Sequence, residues 1–162
     1  MKNQLFVVLL AIVVMSGCAS GRLYPVQGPL AAQTPLPVIT VKANGAFNSG
    51  HISVVLAGGE VCKGEWSVVP SVPAAGDAGS ATTPATSGTA SLWDTVYGPG
   101  FYQAHVLGTP LYVRATPTCS QGTGLTVEMY RSVNGNGNGN GNVNAIKGVA
   151  QDNKGNIYKV TF

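Results

Sequence analysis

Few side chains in this sequence are of a type that can do acid–base or nucleophilic chemistry. Charged residues make up 9% of the chain, with two histidines and a formal net charge of +3. The acids are Glu60, Glu65, Asp77, Asp94, Glu128 and Asp152, and they are scattered rather than paired. His51 opens an apolar run just after a turn-forming Asn-Ser-Gly and reads as a surface residue. His105 lies within reach in sequence of Asp94 and Ser91, which would be the parts of a hydrolase triad. No Gly-x-Ser-x-Gly turn accompanies that serine, and such a turn is what exposes a nucleophile above a sheet. Metal chemistry is likewise not expected, because zinc-type sites need several His, Cys or carboxylate ligands at short spacing. The sequence therefore predicts a protein that is not an enzyme and carries neither cofactor nor metal, with a hydrolase built on His105 and Asp94 as the weakest reading.

The most specific pattern lies at the N-terminus. Lys2 precedes an unbroken apolar run, Leu5 to Met15, which ends on Ser16-Gly17-Cys18. The run is too short to cross a bilayer core of about 30 Å, which takes about 20 apolar residues. Its length suits the apolar region of a secretory signal. With Met15, Ser16, Gly17 and Cys18 at its end, the segment resembles the signal sequence of bacterial lipoproteins. That resemblance implies removal of residues 1–17, a diacylglyceryl group on the Cys18 thiol and an acyl group on the new amine. Ala19, where an aspartate would retain the protein at the inner membrane, implies the outer membrane and its periplasmic face. Several acyl chains hold a protein stably where one holds weakly, so the membrane would be a partner through the Cys18 lipid. The closing segment, Lys147 to Phe162, is also similar to the ends of small proteobacterial lipoproteins with no assigned activity.

Export to an oxidising compartment bears on the other two cysteines, Cys62 and Cys119, which are expected to pair. Composition excludes a nucleic-acid partner, since no basic cluster or basic aromatic stripe is present. It leaves an envelope protein or a glycan as the expected partner, and the first expectation is a membrane-anchored periplasmic lipoprotein that acts as a structural or interaction module of the cell envelope. One group of aromatic residues stands out: Trp93, Tyr97, Phe101, Tyr102 and Tyr112. At the mouth of a barrel these would stack on a sugar or an apolar ligand, making the protein a binding module for a small amphiphile or glycan. In a core they would be packing.

The elements that must position these groups are strands. Gly 22 and Pro 10 with many Val, Thr and Ser disfavour helices, and no long 3.6-residue apolar repeat appears. Residues 18–37, with four prolines, read as an extended tether, and one domain follows over 38–162. In it Ile39, Val41, Ala43 and Phe47 alternate with Thr40, Lys42 and Asn44, as in a half-buried strand. Ile52, Val54 and Leu56 repeat the pattern, as do Cys62, Gly64, Trp66 and Val68. Segments near 70–91 and 133–144 (the latter an Asn-Gly repeat) lack bulky apolar residues and read as flexible loops. Phe101 to Leu107 reads as a strand. Leu111, Val113, Ala115 and Cys119 share one face, and Leu125, Val127 and Met129 another. A last hairpin turns at Asp152-Asn153-Lys154-Gly155 and brings Tyr158, Val160 and Phe162 inward. The prediction is an all-β fold: an antiparallel meander of about eight strands, as a small barrel or a two-layer sandwich.

Overall fold

Alternating apolar residues form strands only where a second surface covers them, and here the sheet covers itself by closing. The computed structural model describes residues 17–46, 48–69, 87–107, 109, 112–131 and 146–162. Its strands are β1 (Gly17–Gln27), β2 (Ile39–Ala46), β3 (Ser49–Val55), β4 (Val61–Val68), β5 (Tyr112–Ala115), β6 (Thr118–Cys119), β7 (Leu125–Arg131), β8 (Ile146–Asp152) and β9 (Ile157–Thr161). The ring order is β3-β2-β1-β9-β8-β7-β5-β4, and β3 pairs with β4 to close it. Every pairing is antiparallel. The result is a closed eight-strand β-barrel with one additional short strand, so the barrel prevails over the sandwich. Closure removes the unpaired edges of an open sheet.

β5 and β6 cover successive parts of the same edge of β4: Ala115 is opposite Trp66, and Cys119 is opposite Cys62. Pro117, which has no N–H for the ladder, stands between them. Gly64 faces this corner, where a Cβ would lie 2.7 Å from the Pro117 Cα. Directly below, the expected disulfide joins Cys62 to Cys119 across the ladder. Both sulfurs point into the barrel, as the alternation predicted. Leu23, Ile39, Val41, Ile52, Val54, Val127, Tyr158 and Val160 complete this core.

Three expectations are corrected. Residues 18–37 are not a tether. β1 is a full barrel strand, pairing Cys18 through Leu23 with β2 and Arg22 through Gln27 with β9. Its glycines and Pro25 are poor strand formers taken locally, but Pro25 sits at a register shift, where a missing N–H is tolerated. Second, Phe101 to Leu107 is not a strand. The chain runs through helix α1 (Ser87–Tyr97) and then a π-helical turn, Tyr102–Val106, in which the Leu107 N–H donates to the Tyr102 carbonyl at 2.9 Å. α1 ends at Gly98, which has φ +107°, a left-handed stop to which glycine is suited. Third, Ser87 to Ser91 belong to α1 rather than to a loop. The rest of that loop, the Asn-Gly repeat and Phe47 lie outside the described residues.

Candidate functional site

The size of the inward residues changes along the barrel axis, and that taper makes a cavity. At mid-height the interior is filled by Leu23, Val41, Val54, Val127 and Tyr158. Toward the end where β1 begins, β1 and β2 offer only Ala19, Ala43 and Gly45 to the inside. Across from them stand Trp66, Val68, Val113, Met129, Ile146 and Phe162. Among the described residues the space between is an apolar cup of about 360 Å³, open at the barrel end. Trp66 leans across it because Gly45 and Gly50 leave room: a Cβ on either would lie 2.6 Å from the indole ring. The Trp66 Nε1–H donates to the Asn44 carbonyl at 3.0 Å and fixes the ring. Among the described lining residues the one charged side chain is Arg131, exposed at the end of β7. Cys18 stands at the rim and is exposed.

The opposite end is closed by polar groups. Asp152 is buried, and its Oδ1 accepts from the Lys154 and Asn156 backbone N–H groups, each at 2.9 Å. Its Oδ2 accepts from Asn156 Nδ2 at 2.9 Å and from the Tyr158 hydroxyl at 2.6 Å. The buried Glu60 accepts from the Gln121 N–H at 2.9 Å, the Thr123 N–H at 3.1 Å and the Thr123 hydroxyl at 2.6 Å. Lys154 approaches it at 3.6 Å. These bonds to the charged form, led by the Thr123 hydroxyl, hold the Glu60 carboxyl below its usual 4.5. The Leu30 N–H donates to Asn156 Oδ1 at 2.9 Å, tying in the β1–β2 connection.

The predicted aromatic group is brought together, but not at the mouth. Residues of β5, β7, β8 and β9 that alternate outward meet α1 and the π-helical turn, forming a second core of Leu92, Trp93, Val106, Tyr112, Tyr130 and Val149. Trp93 is fully buried there. Its ring centroid lies 5.7 Å from Tyr97 and 5.5 Å from Tyr130, while Tyr97 and Phe101 stack at 4.5 Å. The Trp93 Nε1–H donates to Glu128 Oε2 at 2.9 Å, and Arg114 Nη2 donates to Glu128 Oε1 at 3.0 Å. The Tyr97 hydroxyl donates to the Gly148 carbonyl at 3.1 Å. Burial pushes that hydroxyl up to about 12 and raises Tyr102 and Tyr112 as well. Trp93, Tyr97, Phe101, Tyr102 and Tyr112 thus bind the helix to the barrel wall, and none of them lines the cup.

The hydrolase parts do not converge. Asp94 Oδ1 accepts from the Tyr102 backbone N–H at 3.0 Å, which fastens the start of the π-helical turn. His105 is exposed and packs on the Phe101 ring at 4.7 Å. The Ser91 carbonyl accepts from the Thr95 hydroxyl, and no hydrogen bond joins Ser91, Asp94 and His105. His51 is exposed on the outer face of β3, opposite Asn44 and Glu65. Among the described residues no three His, Cys, Asp or Glu side chains converge as metal ligands.

What the sequence reading missed is the cup itself. Its signal was a run of glycine and alanine on the inward parity of β1 and β2. Half of that run lies in β1, whose glycines and Pro25 give it no local strand character. Fold and cup define a closed antiparallel β-barrel with one apolar mouth. Comparison of the chain with protein-family models, with curated proteins and with solved structures found no match.

Proposed function

We propose that this chain is a lipid-anchored envelope protein whose barrel is a binding module for an apolar chain or small amphiphile, not an enzyme. The observation that carries the reading is the apolar cup of about 360 Å³ opening beside Cys18. Its volume falls in the range of ligand pockets, about 300–1,000 Å³. The anchor rests on the Met15-Ser16-Gly17-Cys18 pattern, and two features of the barrel support it. Cys18 is exposed, and a cut before it costs β1 only Gly17. In the processing that the pattern implies, the Cys18 sulfur displaces the phosphate head group of a glycerophospholipid: a C–S bond to the diacylglyceryl carbon forms, the C–O bond to phosphate breaks, and the head group leaves with the thiol proton. Water then hydrolyses the Gly17–Cys18 peptide, and the freed amine attacks the acyl ester of a phospholipid, forming the amide C–N bond as the ester C–O bond breaks and the lysolipid alcohol leaves with the amine proton. The location that follows is the periplasmic face of the outer membrane.

Growth with an alkyne-bearing fatty acid tests the anchor. Label is expected on the wild type and not on Cys18→Ala, and an unlabelled wild type overturns it. The cup is tested by titrating residues 18–162, exported with Cys18→Ser behind a cleavable leader, with an apolar fluorophore. Saturable binding that Ala43→Leu removes is expected. Binding that does not saturate, or that survives filling of the cup, sinks the binding role.

A second reading, a structural module docked to an envelope protein, is supported by a different surface. Tyr24 and Val26 at the end of β1 and Leu36 and Val38 just before β2 are exposed, Val38 at 71%, and exposed apolar patches mark interaction sites. Cross-linking in intact cells followed by recovery of the protein tests it, with Val38→Asp expected to remove the adduct.

A further inference from the structure

We infer that the occupant of the cup is the protein's own amide-linked acyl chain on Cys18, so that the barrel shelters one chain of its anchor. The inference rests on the lipid-anchor reading and deepens it by naming the ligand. Its first support is the absence of a tether. Cys18 is already in the β1–β2 ladder opposite Asn44, and Ala19 is opposite Ala43. A lipid on Cys18 therefore holds the barrel by its rim, with the cup toward the bilayer.

The second support is the geometry of the amide. Acylation of the Cys18 amine rebuilds a secondary amide where the Gly17–Cys18 peptide stood. The acyl carbonyl carbon takes the place of the Gly17 carbonyl carbon, and the first methylene takes the place of the Gly17 Cα. Gly17 is paired with Gly45, and Gly45 is part of the cup wall. The acyl chain thus starts on the inward parity of β1, two residues before Ala19. The thioether leaves differently. Ala19 and Ala43 point into the cup, so Cys18, which touches the cup only at its rim, has the outward parity and borders a groove with Lys42, His51 and Glu65. Amide and thioether substituents are sent to opposite sides of the strand.

The third support is the wall chemistry. Among the described residues, the inward side chains of the cup other than Arg131 at the rim are apolar. A free amphiphile brings a head group that needs partners. An amide-linked chain brings none, because its only polar group is an amide already in a β ladder. Attachment also makes binding intramolecular, which raises the effective concentration of the chain.

Semisynthesis tests the inference. Residues 18–162 with Cys18 at the N-terminus and the Cys62–Cys119 bond intact are treated with the thioester of a bromine-bearing fatty acid. Exchange onto the Cys18 thiol releases the thioester's thiol, and the S-to-N shift gives the amide. Bromine quenches a tryptophan that it touches. Trp66 lines the cup, whereas Trp93 is buried in the second core. The brominated chain is expected to remove most of the Trp66 emission relative to an unbrominated chain, and Trp66→Phe is expected to abolish the difference. The acylated protein is also expected to stay monomeric in sedimentation and to exclude a free apolar fluorophore. Unchanged emission, self-association through exposed chains, or equal fluorophore binding with and without the acyl group overturns the inference and leaves the anchor standing. A mass without lipid for the protein extracted from membranes removes the anchor and the inference together.

Discussion

The two ends of this barrel solve the same problem in opposite ways. Both must finish a cylinder whose interior is apolar. At the closed end Glu60 and Asp152 are buried and accept hydrogen bonds from two connections, β6–β7 and β8–β9, and from Tyr158. At the open end the inward side chains shrink to alanine and glycine on one wall, and among the described residues no comparable polar network fills the gap. Polar groups withdrawn from water must find partners, and a fully satisfied network is rigid and specific. An apolar cup makes no such demand and can exchange one apolar content for another. The polar end therefore holds the fold, and the apolar end is the one whose lining can change at little cost to it.

Breaking the closed end is expected to cost the most. Replacing Cys62 and Cys119 by alanine removes a crosslink spanning 57 residues, worth about 4 kcal/mol on the chain-entropy account. Calorimetry should show the largest fall in melting temperature for this variant. Asp152→Ala comes next. It strips the acceptor from the Tyr158 hydroxyl and from Asn156, both buried, at about 3 kcal/mol. Urea unfolding measures it, and a loss as small as that of a surface substitution would break the comparison.

Acid sharpens it. Glu60 has a folded pKa below its usual 4.5. Its contribution to stability is therefore complete above that usual value and is lost as pH falls through the depressed one. Wild-type melting is expected to fall more steeply below that pH than melting of Glu60→Gln, whose acid limb should be flatter. Parallel limbs would mean that the carboxylate holds nothing closed. Smallest of all is truncation of the cup wall. Val68 and Ile146 are only partly buried, so Val68→Ala or Ile146→Ala is expected to cost less than about 1 kcal/mol. The same variants should still alter fluorophore binding. A stability loss equal to that of Asp152→Ala would show that the open end supports the fold after all.

Much of the barrel was legible in the sequence because a strand with one covered face leaves a two-residue period. Ile52 and Val54, or Val127 and Met129, carry that period without help from distant residues. Cys62 and Cys119 were legible on the same parity argument. β1 was not. Its Gly17, Gly21 and Pro25 deny it local strand character, and only pairing with β2 on one side and β9 on the other makes it extended. The Phe101 to Leu107 segment failed for the converse reason. Its apolar residues suit a strand, but the Asp94 carboxylate takes the Tyr102 N–H and winds the segment into a turn.

The aromatic group shows where sequence ends and tertiary structure begins. Side-chain type and spacing determined that Trp93, Tyr97, Phe101, Tyr102 and Tyr112 would gather, that the chain would be built of strands, and that Cys62 would meet Cys119. These follow from local periodicity and from the preference of large apolar groups for one another. Which side of the wall the aromatics occupy was decided only when the sheet closed, since closure turns one parity of β5, β7, β8 and β9 inward and hands the other to α1. The cup was decided at the same moment. A cavity is a property of facing walls, and no single strand carries the size of the residue that it will meet across the barrel.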